Sequence, residues 1–233
     1  RVGQQILFER MEKQNYERYR REMVENEIDI KRKLFNDMIG GSLSTAVILE
    51  RGKEIGLELG AQCYQIILFK YNTVGDEEVY SSELLTLEDE LKDLNARYDN
   101  IILFDRAIEG VALLIKGDSF EQIDEVREKY VKEVKELFTY YPSVNYFGGM
   151  GTPVSRLTHL SESFESAARA FAHRFILEKN AIISGDELSE LVFEDKDSTI
   201  NIDELGNLDL KKAEAFLKSG EADEITFFVE EFI

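Results

Sequence analysis

The chain has 233 residues, of which 43% are hydrophobic and 32% charged, and its formal net charge is −19. That length suits one domain core with appendages, and the composition is that of an ordinary globular protein rather than a disordered one. No apolar run approaches the ~20 residues of a membrane-spanning helix, and the acidity opposes binding to nucleic-acid phosphates, which needs clustered Lys and Arg.

The opening "RVGQQILFERMEKQNYERYRR" has charge scattered through it and neither the apolar core nor the cleavage site of a signal peptide. A lone cysteine, Cys63, excludes an intrachain disulfide and fits a reducing compartment, so a cytoplasmic location is expected. The chain begins at Arg1 and stops at "ITFFVEEFI" while still apolar, and both ends are expected to be cuts in a longer protein.

From Gln4 to Ile39 there is neither proline nor glycine, and Glu alternates with Arg and Lys as in a long exposed helix. Tyr16, Met23 and Ile30 recur every seven residues, with Tyr19 and Leu34 near the complementary positions. This makes a seam of about three weak heptads interrupted by Glu27, and it predicts a helix that pairs with a second copy of the chain. The alternative is a helix lying on its own domain.

Gly40 and Gly41 then break the chain. Ser42 or Ser44 is expected to cap a second helix ending near Gly56. Strands are predicted at "CYQIILFKY", "NIILFDRA" and "GVALLIKG", the last two meeting at a tight turn. A helix from about Leu85 to Ala96 separates the first two. Another covers "SFEQIDEVREKYVKEVKELF", with Phe120, Ile123, Val126, Tyr130, Val131, Val134, Leu137 and Phe138 on its apolar face. "SVNYFGGMG" supplies a fourth strand and "SFESAARAFAHRF" a further helix.

The order β-α-β-β-α-β predicts an α+β fold of ferredoxin-like type, an antiparallel sheet with its helices on one face. Residues 1–40 form the long helix, 41–184 the domain, and 185–233 an acidic connector with two amphipathic helices.

The glycine stretch "FGGMGTPVS" has neither the Gly-Lys-Ser/Thr of a phosphate-binding loop nor a dinucleotide fingerprint. Gly148, Gly149 and Gly151 are expected to permit close packing at a strand end, with a ligand-contact loop as the alternative. His159 and His173 have no zinc-like neighbours, and no metal or cofactor is expected. Ser161 or Ser163 is predicted to cap the helix that follows, with Glu165 or Ser166 in its first turn. Asp105 and Glu109 share the turn of the hairpin "NIILFDRAIEGVALLIKG", where two carboxylates are the raw material of a metal site, although acids are common at turns.

Three stretches resemble the GGDEF domain of diguanylate cyclases, and more closely its degenerate relatives in bacterial AraC-type response regulators. They are "KRKLFNDMIGGSLSTAVILERGKEIGLELGAQCYQIILFKY", the hairpin, and "YFGGMGTPVSRLTHLSESFESAARAFAHRF", together spanning about Lys31 to Lys179. The resemblance implies a nucleotide-cyclase-like fold and places Arg106, Ala107, Ile108, Glu109 and Gly110 where the signature should stand. Only Glu109 matches: Ile108 replaces an acid that binds metal in active enzymes, and the first strand has no acid before Asp76. The expectation is therefore a protein that is not an enzyme. Its resemblance implies a homodimer with an upstream receiver domain served by a sensor kinase and a downstream helix-turn-helix that reads DNA. The alternative is a small-ligand sensor that binds a nucleotide or metabolite without turnover.

Overall fold

The computed structural model describes residues 2–73, 82–175 and 180–185. The chain divides into two units, Arg1–Leu188 and Ser189–Ile233, and all the described elements belong to the first. The acidic connector expected over 185–233, with its two helices, lies outside the described residues except for Gly185.

Helix α1 runs Val2–Ile39 and α2 runs Thr45–Glu54. The break between them includes Gly41 at φ +62°, a left-handed conformation that glycine adopts without steric cost. Ser44 is the α2 cap, its Oγ accepting from Val47 N at 3.5 Å. Strand β1 (Cys63–Thr73) is followed by α3 (Ser82–Asn95), β2 (Ile101–Asp105), β3 (Val111–Gly117), α4 (Phe120–Phe138), β4 (Val144–Met150), α5 (Leu160–Ala172) and β5 (Ala181–Ser184).

The sheet order is β2-β3-β1-β4-β5. The first four strands pair antiparallel, with Ile67 opposite both Leu113 and Met150, which is the ferredoxin-like arrangement. The four-residue β5 joins β4 in parallel, an edge strand not foreseen in "AIIS".

Alternation along β1 sends its side chains to two cores. Ile67 and Phe69 face α3 and α4 through Leu87, Leu91, Ile123 and Val134, so the two helices of the β-α-β-β-α-β unit share one face as expected. The other face carries Ile66 and Leu68, and it is covered by the flanking helices through Phe35 of α1, Ile48 of α2 and Leu160, Ala167 and Phe171 of α5. Phe120 departs from the apolar face predicted for α4: it is 44% exposed, because it sits in the first turn beside the Ser119 cap, where the helix has only begun to approach the sheet.

Helix α1 divides the expected seam. Tyr16, Tyr19, Met23 and Ile30 are exposed, whereas Leu34 is buried with Phe35 and Met38 in the domain's own core. Leu34 is thus a docking residue rather than part of a free heptad seam: the last two turns anchor the helix, and the preceding turns project from it.

Candidate functional site: the β2–β3 hairpin

Strands β2 and β3 meet through a single 3-10 turn, Ala107–Glu109. Arg106 N donates to Gly110 O at 2.8 Å, and Gly110 N to Ala107 O at 3.1 Å, which closes the turn. Ala107 takes φ +55°, a conformation that costs a non-glycine residue free energy. Gly110 has φ +94° and lies against the β1 backbone, where a Cβ would meet Phe69 O and come within 3.0 Å of Lys70 Cβ. A side chain there would be both strained and blocked, so this glycine is fixed by the approach of the hairpin to β1.

Neither acid of the hairpin is free. The Asp105 carboxylate accepts from the Arg32 guanidinium of α1 and from Ala107 N at 2.9 Å, while Arg32 Nε also donates to Asp105 O at 3.2 Å. The hydrogen bond to Asp105 raises the Arg32 pKa above the usual arginine value, so the guanidinium that grips Asp105 keeps its charge. Glu109 is paired with Arg106 of the same turn, whose guanidinium lies 5.1 Å from the ring centre of Phe164 on α5. Lys70 of β1 donates to Ile108 O at 2.8 Å, and the Ile108 side chain is 87% exposed at the tip.

Three cationic side chains, Arg32, Lys70 and Arg106, therefore surround the turn, both of its carboxylates are engaged, and Arg32 is shared with Asp29 of α1 at 2.7 Å. Two-metal phosphoryl chemistry needs clustered, available carboxylates, and both carboxylates of this turn are occupied by ion pairs. What the arrangement does supply is a joint, because Arg32 ties the hairpin to α1 and Arg106 ties it to α5.

The glycine stretch is built for close packing. A Cβ on Gly149 would lie 2.5 Å from Phe171 N, inside the α5 backbone, and one on Gly151 would lie 2.8 Å from Ser163 Oγ. Gly148 is looser, with side chains of Ile182 and Phe69 at 3.1–3.2 Å. Of the three, Gly151 alone borders open space, at the mouth of a cavity beside α4 and α5.

The serines of this region correct the capping expectation. Helix α5 begins at Leu160 with His159 in the cap position and no side-chain cap bond. Ser163 is fully buried, and its Oγ accepts from Ile66 N at 2.9 Å. Ser166 Oγ donates to Ser163 O at 3.0 Å and accepts from Thr152 N at 2.7 Å. Both hydroxyls satisfy backbone groups where the β1 and β4 ladder opens, which stitches α5 to the sheet. His173 stands at the other end of α5, with Nδ1 2.9 Å from Arg169 O.

The pattern of the GGDEF-like domain family matches residues 40–172, from the break after α1 to the last residue of α5. The chain belongs to that family. No curated protein matches the chain. In this GGDEF-like domain the matched stretch contains the hairpin, the glycine stretch and α5, while the Arg32 clamp comes from outside it, on α1. Sequence reasoning misses the clamp, because its partners are 73 positions apart and each is an unremarkable charge in its own segment. Among the described residues no helix is long and apolar enough to cross a membrane.

Proposed function

We propose that this GGDEF-like domain is a non-catalytic dimerisation and signal-transfer region of a bacterial two-component response regulator that controls transcription. In this reading a receiver domain, phosphorylated by a sensor kinase, precedes α1, and an AraC-type helix-turn-helix follows the acidic connector and makes the DNA contacts. The whole would work in the cytoplasm as a homodimer. The observation that carries the reading is the hairpin itself: the turn that would hold metal and nucleotide in a cyclase is instead locked to α1 by Arg32 and Asp105 and to α5 by Arg106 and Phe164.

A helix anchored by its last two turns and exposed along Tyr16, Tyr19 and Met23 suits pairing with a second copy at one end and reporting to the domain at the other. Phosphorylation upstream would shift the pairing or docking equilibrium of α1, for which a change of a few kcal/mol is sufficient. A second reading, ligand sensing without turnover, is favoured by the cavity at Gly151. Incubation of the chain with GTP and Mg²⁺ tests the primary reading: no cyclic dinucleotide should form above a protein-free blank, and its accumulation would overturn the non-catalytic assignment.

A further inference from the structure

The cavity beside Gly151 has a volume of about 1100 Å³ and is lined by α4, the end of β4 with the loop after it, β5 and α5. It is separate from the hairpin, none of whose residues line it. Gln65 of β1, only 2% exposed, borders it. The Gln65 amide is oriented by its Nε2, which donates to Gly151 O at 2.7 Å, and this leaves Oε1 buried without a hydrogen-bond partner. A buried carbonyl oxygen left unpaired is unfavourable, and its natural complement is an N–H or O–H donor supplied from the cavity.

Val131, Met150 and Ile182 give the cavity an apolar wall. Its charged lining runs against the acidity of the whole chain: Arg127, Lys132, Lys135 and Arg169 face only Glu128 and Glu136. Arg127 is engaged by Asp124 at 2.5 Å, and Lys132 lies 3.9 Å from Glu136. Lys135 and Arg169, on α4 and α5, have no carboxylate within ion-pair distance among the described residues.

We infer that this cavity binds a small amphiphilic organic anion, whose N–H or O–H donor meets Gln65 Oε1, whose apolar body lies on Val131, Met150 and Ile182, and whose carboxylate or phosphate group is held by Lys135 and Arg169. The inference deepens the ligand-sensing reading and does not depend on the signal-transfer one. Helix α5 gives such a ligand a route to the hairpin, since Ser166, Arg169 and Ala170 line the cavity while Phe164, on the same helix, supports Arg106.

Anilinonaphthalene sulfonate, an aromatic anion with one N–H donor, is a suitable probe, titrated by fluorescence into the whole chain. Saturable binding to one site is expected, weakened about tenfold or more, equivalent to ~1.4 kcal/mol, in the double variant Lys135→Glu, Arg169→Glu. Both side chains are exposed, so that variant should keep its fold, with circular dichroism as the check. Gln65→Met should also weaken the probe, and Lys92→Glu on α3 should leave it unchanged. Absence of saturable binding, or equal affinity in all the variants because the probe sits on other apolar surface, would overturn the inference. Neither result would bear on the cyclase assay, which tests the hairpin alone.

Discussion

Replacing Gly149 with alanine tests the claim that the glycine stretch exists to bring β4 and α5 together. The added Cβ would stand 2.5 Å from Phe171 N and 2.8 Å from Phe171 Cβ, and would collide with Ala167 O, where an ordinary contact is 3.4–4 Å. The obstacles are mainly backbone atoms of α5, so no side chain can rotate out of the way and the helix must retreat by about 1 Å. A gap of that size forfeits roughly a quarter to a half of each contact's attraction. The affected contacts are those of Leu160, Ala167, Ala170 and Phe171 with the sheet. Overpacking commonly costs about 1–3 kcal/mol, and a backbone obstacle places this substitution at the upper end, about 3 kcal/mol.

That is a large part of a typical total of ~5–15 kcal/mol, and for a chain of this size it corresponds to a fall in melting temperature of roughly 6–12 °C. Urea denaturation followed by far-ultraviolet circular dichroism measures it as a lower midpoint at unchanged slope. Gly60→Ala is the matched control: nothing lies within 4 Å of its Cβ, and the change should stay within about 0.5 kcal/mol. A Gly149→Ala protein as stable as the parent would refute the packing account and leave the glycines to be explained by something other than the β4–α5 contact.

Two further outcomes are expected. Burial pushes the phenols of Tyr71 and Tyr98 up to about 12, with a hydrogen bond to Glu133 adding to the effect at Tyr98. The folded chain holds these protons more tightly than the unfolded chain, whose tyrosines ionise near pH ~10, so their stabilisation is complete below ~10 and is lost as the pH rises through about 12. Alkaline absorbance titration should therefore show a late phase that shrinks in Tyr98→Phe, and uniform ionisation near ~10 would contradict it. On α1, Met23→Glu places a charge on the exposed stripe and should weaken self-association by about tenfold or more in sedimentation equilibrium. A parent chain that is monomeric at high concentration would remove the dimer from the proposal.

Strands β1 to β4 were legible because each is a short apolar run bounded by turn residues, and α4 because eight apolar residues fall at helical spacing. Long-range bonds left weaker marks. Ser163 sits where a helix cap should be, and nothing local reveals that its hydroxyl serves Ile66, 97 positions earlier. Leu34 fits a heptad as well as it fits a core, and only the docking of α1 on the sheet distinguishes the two. Strand β5 is four residues long, too short for alternation to separate it from a loop, and it exists because β4 presents an open edge. Resemblance is enough to locate the hairpin but not its ion pairs, since Arg32 lies on a helix whose many charges look equivalent in sequence.

The hairpin's role as a joint rather than a catalytic turn is tested most directly by amide hydrogen exchange over residues 106–111, in the parent chain and in Arg32→Ala, each with and without GTP and Mg²⁺. The account predicts faster exchange in Arg32→Ala, because the clamp to α1 is gone, and no response to nucleotide in either protein. Exchange unchanged by Arg32→Ala but slowed by GTP and Mg²⁺ would contradict it and make the turn a nucleotide contact.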